Sequence, residues 1–580
     1  MKRLLLVYLR PYRLGIIVVV VLALVQALAN LYLPDLNAKI INDGVAKGDT
    51  AYILRMGGFM LLVTLLLGLV SVVLVYYGSR VAMGFGRDVR SGLFRKVESF
   101  SQSEINQFGT PSLITRNTND VQQVQMLVAI GLTMMIGAPL MMIGGVIMAM
   151  RQDLPLSTML VVIIPVMGVV LGLIVARAVP LFRSIQVKLD RINQVTREIL
   201  TGMRVIRAFA RSDYEEDRFD EANADLTATG LRVTRLFALM FPALFAILNL
   251  STVAIMYFGG GRVASGAMPI GNLTAFLTYV MQILISVLMA TMMLAMVPRA
   301  TASADRIQQV LDVEPSIADP DAPLQVVSID KGRRGLIEFK DVEFRYPGAE
   351  HPVLCSISFS VTPGRTTAIV GSTGSGKSTL ISLIPRFYDV TAGSIEIDGC
   401  DIRTMARDDL WHKMGFVPQK AFLFAGTIAS NLRFGAQDAT DEDLWHALSI
   451  AQAKEFVTEM PEGLGAPVTQ GGGNVSGGQR QRLAIARALV KKPEIYVFDD
   501  SFSALDFKTD SMLRAALKRE VSGAAVIIVA QRVSSIMQAD QIVVLETGAI
   551  AGIGTHAELL ESCETYREIV YSQLSAEEVA

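Results

Sequence analysis

Residues 371–379 read GSTGSGKST and match the pattern G-x-x-x-x-G-K-[ST], with Gly371, Gly376, Lys377 and Ser378 at its fixed positions. The apolar, β-prone run TTAIV at 366–370 precedes them, and LISLI at 380–384 can open a helix. Strand, glycine-rich loop and helix together make this a phosphate site rather than a chance turn. Glycines let backbone N–H groups wrap phosphates without Cβ clashes, so Gly371, Ser372, Thr373, Gly374, Ser375, Gly376 and Thr379 form the cradle. Lys377 can reach the β- and γ-phosphates, and the Ser378 hydroxyl suits Mg²⁺. The helix N-terminus adds partial positive charge.

The chain around this loop has 580 residues, too many for one core. It is 51% hydrophobic and only 18% charged, below the roughly 25% usual for soluble domains. The mean hydropathy is +0.43. The apolar runs crowd into the first half, so a membrane domain is expected first and a soluble α/β domain second. A net charge of −1 gives no reason to expect nucleic-acid binding. Cys355, Cys400 and Cys563 lie in the soluble half without metal-ligand spacing or a disulfide framework, and the four histidines are scattered.

Residues 1–13 carry Lys2, Arg3, Arg10 and Arg13 around apolar positions and read as an amphipathic entry helix on the inner membrane face. Six spans follow within 14–300, near 14–33, 57–78, 128–150, 156–178, 237–261 and 271–297, each close to the roughly 20 residues a bilayer needs. Ala27-Leu28-Ala29 resembles a leader cleavage site, but the apolar run is too long for a leader core, so a retained helix is expected. The arginine-rich segments 79–127 and 179–236 are expected to extend the helices into the cytoplasm, by the positive-inside tendency. Their tips, near 108–116 and 208–214, are placed to meet a cytoplasmic motor. Gln26, Asn30, Asn249 and Gln282 are polar exceptions, read first as interhelical hydrogen-bond partners. The methionines of the third and sixth spans suit either varied apolar cargo or plain packing. Residues 301–334, broken by Pro315, Pro320 and Pro323, read as a linker to a domain over 335–580.

In that second domain, LIEFKDVEFRY at 336–346 alternates like a strand and ends at Tyr346, which can stack on an adenine ring. Downstream stand Gln419 in FVPQK, the stretch NVSGGQRQRL at 474–483, the strand EIYVFDD at 494–500, SALD at 503–506, and an apolar strand at 524–530 ending beside Gln531.

Together these motifs resemble the ATP-binding cassette (ABC) transporters, and six spans followed by one cassette resemble an exporter-type half-transporter. The resemblance covers nearly the whole chain. It implies a multi-domain fold: an all-α transmembrane domain of six long helices, the type IV exporter fold, then an α/β P-loop ATPase domain with a helical subdomain. It implies a multi-pass protein of the cytoplasmic membrane with the ATPase domain inside, and ATP and Mg²⁺ as cofactors. By position, Tyr346 resembles the adenine-stacking tyrosine, and Asp499 the Mg²⁺-coordinating acid. Gln419 resembles the glutamine that contacts Mg²⁺ and the attacking water. Ser476, Gly477, Gly478 and Gln479 resemble the signature loop that completes a partner cassette's ATP site.

Two positions depart from the family pattern. Where the family's catalytic base is glutamate stands Asp500, one methylene shorter, and a misplacement near 1 Å can cost about a hundredfold. Where the family's switch histidine would contact the γ-phosphate stands Gln531, which cannot carry an imidazolium charge. Gln470, where related exporters usually carry glutamate, is a third, lesser departure. The expectation is a heterodimer with unequal sites, in which this chain's own site turns over weakly and its signature serves a second half-transporter. The expected cargo is hydrophobic or amphipathic (lipid, fatty-acid-like or drug-like), reached from membrane lipid. The rival expectations are a homodimeric exporter with a working Asp500, a lipid importer of the same fold, and a regulatory membrane subunit that binds ATP without transport.

Overall fold

The computed structural model describes residues 1–294, 296–320, 322 and 334–573. They fall into two compact units, Met1–Glu98 with Pro111–Val313, and Ser99–Thr110 with Glu314–Ala580.

The first unit is helical. Among the described residues its membrane-length spans are six, Arg10–Val45, Thr50–Glu98, Thr110–Gln152, Leu154–Ala208, Ser212–Ala264 and Ile270–Thr291. The fourth has 55 residues; at about 1.5 Å per residue such a helix reaches ~80 Å, well past the roughly 30 Å hydrocarbon layer. The polar stretches read as extensions are therefore continuous with the spans. Each span buries a stripe and leaves the rest apolar. Val19, Ala23, Ala27 and Leu31 recur every four residues and are buried, while Leu61, Leu65, Leu69 and Val72 of the second span face outward. Phe276, Tyr279 and Ile283 of the sixth span form the centre of the packing, with Ile255 and Met167. Three π-helical turns interrupt the spans, at Ile40–Val45, Arg116–Asp120 and Gly131–Met135. The stretch read as a linker from 301 is helical as far as Asp312, in the helix Val297–Asp312, because its first proline after Pro298 is Pro315. Of the remainder of that stretch, 321 and 323–333 lie outside the described residues.

The second unit holds twelve strands among the described residues: β1 (Ile337–Phe344), β2 (Leu354–Val361), β3 (Thr366–Gly371), β4 (Ala392–Ile397), β5 (Cys400–Asp401), β6 (Met414–Val417), β7 (Gly426–Thr427), β8 (Pro467–Val468), β9 (Ile495–Asp499), β10 (Ala525–Val529), β11 (Gln541–Glu546) and β12 (Ala549–Gly554). A six-stranded sheet runs β12-β11-β3-β10-β9-β6, and a four-stranded antiparallel sheet runs β2-β1-β4-β5. In the larger sheet β11, β3, β10, β9 and β6 are parallel. Every residue of β9 (IYVFD) and β10 (AVIIV) is buried, as expected of strands covered on both faces. A helical subdomain packs Ile428–Arg433 and Asp441–Ile450 on Gly477–Val490 through Leu432, Leu444, Leu448 and Leu483.

A charged knot ties the sheet edge opposite the phosphate loop. Lys413 donates to Asp398 at 2.7 Å and Glu494 at 2.9 Å, and Arg334 donates to Glu494 at 2.6 Å. Burial alone raises the Glu494 carboxyl, but the bonds from Lys413 and Arg334 outweigh it and hold it below the ordinary 4.5. Burial lowers Lys413, and its two carboxylates more than reverse that, holding it above 10.5. Removing one member leaves buried charge unpaired, so Lys413→Met should cost about 3 kcal/mol. The Glu494 contribution is complete above 4.5 and is lost as pH falls through its depressed value, while the Lys413 contribution is complete below 10.5. Both tryptophans, Trp411 and Trp445, lie in this unit, so their fluorescence reads its melting alone. The melting gap between wild type and Lys413→Met should be full at pH 7 and shrink below pH ~4.5. A gap that stays constant into acid would remove the knot as its cause.

Candidate nucleotide site

Strand register assembles the site. Val529 of β10 lies level with Ile369 of β3 and Asp499 of β9, and Val417 of β6 lies level with Phe498. The carboxyl ends of four parallel strands therefore deliver the phosphate loop, Asp499 and Asp500, Gln531 and Gln419 to one edge of the sheet. That edge is where open α/β sheets bind ligands.

The loop leaves β3 at Gly371, where a Cβ would stand 2.2 Å from the Leu545 carbonyl, and enters the helix Lys377–Leu383 through Gly376 at φ +96°. Both positions require glycine. Lys377 donates to the carbonyls of Gly371 at 2.8 Å and Ser372 at 2.7 Å, which folds its side chain back over the loop. Burial lowers its pKa, partly offset by the charges of Asp500 and Asp499. The helix N-terminus, the open loop N–H groups and this ammonium form a phosphate-sized positive cradle.

Facing the cradle, Asp499 and Asp500 are only 9% and 8% exposed. The Asp499 carboxyl is pushed up to about 6 by burial and by the charge of Asp500, against the opposing pull of Ser378 and Lys377. Ser378 reaches Asp499 through a long 3.4 Å hydrogen bond. The Ser378 hydroxyl and the Asp499 carboxyl, itself pushed toward protonation, are two hard oxygen donors that fit a divalent cation, whose charge would hold Asp499 ionised. Ser378 and Asp499 are thus brought within hydrogen-bond reach of each other. Gln419 is not placed on Asp499; its Nε2 donates to Asp500 at 3.2 Å. Asp500 itself sits at φ +45°, a left-handed conformation that is costly for a non-glycine residue, with its N–H donated to the Val529 carbonyl.

Tyr346 lies just beyond β1. Its hydroxyl shares a 3.0 Å hydrogen bond with Thr379, and its ring meets Phe344 and Tyr388 edge-on. Gln531 is exposed two residues past β10, and its carbonyl accepts from Gln573 at 2.8 Å. The signature segment stands apart from the phosphate loop. Ser476 caps the helix Gly477–Val490, bonding reciprocally with Gln479 at 2.9 and 3.2 Å. Ser476 and Gly477 are exposed, Gly478 and Gln479 are half-buried, and none bonds to the chain's own phosphate loop among the described residues. Gln470 opens the short turn Gln470–Gly472 and is also exposed.

Some supporting residues were not legible as such. Ser501, fully buried, donates to the carbonyls of Val417 and Asp499 and staples β9 to β6. Gln481 of the signature helix reaches the Pro418 carbonyl, beside Gln419, at 3.5 Å. Within the second unit the short helix Gln102–Phe108 places Asn106 on the Tyr388 hydroxyl at 3.1 Å, and Glu104 accepts from the N–H groups of Ser101 and Ser316. The pair Ser101 and Glu104 has capping-box spacing, a signal the sequence carried.

A phosphate loop at the head of a parallel sheet, faced by buried acids and joined to six membrane spans, defines a nucleotide-driven membrane machine. Residues 16–287 match the ABC transporter transmembrane region, and residues 354–503 match the ABC transporter domain. An uncharacterized ABC transporter ATP-binding protein of Mycobacterium tuberculosis is 48% identical over 98% of this chain and 97% of its own length. A multidrug efflux ATP-binding/permease protein of Mycobacterium bovis is 33% identical over 85% of this chain and 41% of its own. The solved structure of a bacterial Atm1-family ABC exporter with ATP bound shares the fold, with a TM-score of 0.77 and 24% identity over 98% of this chain and 99% of that one. This chain belongs to the ABC transporter family. It is a half-transporter with the exporter-type fold, a multi-pass membrane protein whose ATP-hydrolysing domain is cytoplasmic.

Proposed function

We propose that this chain is one subunit of a heterodimeric ABC transporter with unequal ATP sites, moving a hydrophobic or amphipathic substrate outward or between leaflets. The observation that carries this reading is the pair of substitutions at the hydrolytic edge, Asp500 and Gln531. The short Asp500 side chain is engaged by Gln419 at 3.2 Å, and the exposed Gln531 offers no cationic charge. ATP held by the loop of residues 371–379, with Mg²⁺ on Ser378 and Asp499, supplies the tie between cassettes. Lys377 neutralises its phosphates, and Tyr346 offers an aromatic face beside Thr379. The partner's site performs most of the hydrolysis, and the exposed N-terminus of this chain's helix Gly477–Val490, capped by Ser476, completes it. Differential affinity for substrate in the inward- and outward-open states converts that hydrolysis into movement. Apolar spans support an apolar or amphipathic cargo taken from the bilayer.

Lys377→Ala tests the assignment of the two sites. Loss of a charged hydrogen-bonding group should weaken ATP binding at this chain's loop about a hundredfold. The assembled transporter should nevertheless keep part of its ATP turnover, measured on the co-purified pair. Complete loss of turnover would make this loop the hydrolytic site and reverse the assignment.

A further inference from the structure

Between the helical subdomain and the sheet of the second unit lies a cavity of about 290 Å³. The helix Asp441–Ile450 forms one wall, and the ends of the helices Gly477–Val490 and Phe507–Glu520 form others. No residue of the nucleotide site or of the signature segment lines it. Its apolar lining includes Ile450, Leu489 and Val521, and its polar lining comes from Asp443, His446, Lys492, Tyr496 and Glu520.

Two ion pairs join the walls. Lys492 donates to Asp443 at 2.8 Å, and His446 Nε2 lies 2.9 Å from Glu520 Oε1. Asp443 is saturated, because its other oxygen accepts from the N–H and the hydroxyl of Thr440 at 3.2 and 2.7 Å. Glu520 is not: its second oxygen has no partner among the described residues. Lys492 cancels the charge of Asp443, so beside a neutral imidazole the uncompensated charge of the lining is that of Glu520. Tyr496 is an independent mark of a site. It is only 3% exposed, yet its hydroxyl makes no hydrogen bond among the described residues. A buried tyrosine hydroxyl ordinarily finds a partner. This one keeps contact with solvent, and it is on this cavity that Tyr496 opens. Burial, and then the charge of Glu520, push the Tyr496 hydroxyl up to about 12, so the field of that carboxylate reaches the same spot.

We propose that this cavity is a binding site for small organic ammonium ions with an apolar body. The ammonium donates to the free oxygen of Glu520 and to the Tyr496 hydroxyl, and the body lies against Ile450, Leu489 and Val521. A neutral analogue forfeits the charge-assisted bond, and an anion meets the Glu520 charge. The occupant bridges the helical subdomain to the sheet, at the far ends of the helix that begins at Gly477 and of β9, which finishes at Asp499. The inference stands apart from the unequal-site reading, since neither hydrolytic position lines the cavity.

The test uses the full chain in phospholipid nanodiscs, with empty nanodiscs subtracted, at pH ~8, where an ordinary imidazole is neutral. Three probes share one fluorinated ring, so fluorine NMR line broadening reads the binding of each. Para-fluorophenethylamine is an ammonium ion at this pH, para-fluorophenethyl alcohol is neutral, and para-fluorohydrocinnamate is an anion. The amine should bind saturably, and the alcohol about tenfold more weakly. The anion should fail to displace the amine. Tyr496→Phe removes only an unbonded hydroxyl, so it should leave the fold undisturbed and weaken the amine about tenfold. Glu520→Gln should weaken the amine at least about tenfold and erase its advantage over the alcohol. The wild-type ranking of the three probes stands even if a variant does not fold. Equal binding of amine and alcohol, displacement by the anion, undiminished amine affinity in either folded variant, or no binding above empty nanodiscs would overturn the proposal.

Discussion

Gly477→Arg should abolish ATP turnover by the assembled transporter, a fall of at least about a hundredfold, while leaving this chain folded and able to bind ATP. The geometry separates those two effects. A Cβ at Gly477 would meet no atom within 4 Å, so a side chain there costs the cassette little. The residue is nevertheless the first of the helix Gly477–Val490, where free N–H groups and the positive end of the helix dipole point outward. A bulky side chain on that end bars another cassette's phosphates from it. Removing one preorganised donor from a site of developing negative charge typically costs about 10²–10³ in rate. Nucleotide binding to the lone chain and ATP turnover by the co-purified pair are the two readouts. Normal turnover would mean that this helix end faces no ATP, and the composite-site scheme would fall.

The opposite gain is expected from Asp500→Glu combined with Gln531→His. The added methylene carries the carboxylate on the order of 1.5 Å further past the end of β9, and correction of a misplacement near 1 Å is worth about a hundredfold. Histidine at 531 adds a group that donates through either ring nitrogen and carries positive charge when protonated. The double variant, alone in lipid, should turn over ATP roughly a hundredfold faster than the wild-type chain alone. Each single variant should recover only part of that, because groups acting on one transition state are not additive. If the double variant is no faster, the two substitutions are not what limits this site.

Much of this site was readable from the chain because its parts are local. The phosphate loop carries its glycines, lysine and serine within nine residues, and the signature segment carries its own helix cap. The six spans announce themselves by length and apolarity. What the sequence could not supply is register across distant strands. Only the pairing of Val529 with Asp499 and Ile369 shows that residues 130 or more apart meet at one edge. Nor could it tell whether Gln419 lies on Asp499 or on Asp500. The linker reading from 301 leaned on prolines that begin only at Pro315, whereas the preceding residues keep a helical apolar pattern at Ala300, Ala304, Ile307 and Val310. Gln26, Asn30 and Gln282 were visible as polar exceptions. That they line one hollow in the membrane unit depends on helix packing and on a π-turn that no periodicity marks.

ATP hydrolysis by this chain alone, reconstituted in lipid, bears most directly on the unequal-site account. The lone chain should bind ATP without appreciable turnover, and a co-purified second half-transporter should restore it. Turnover by the lone chain at tens of cycles per minute or more, roughly the low end of ordinary enzyme rates, would contradict it. Asp500 would then be a competent base and Gln531 a tolerated substitution, and the chain would work as a homodimer.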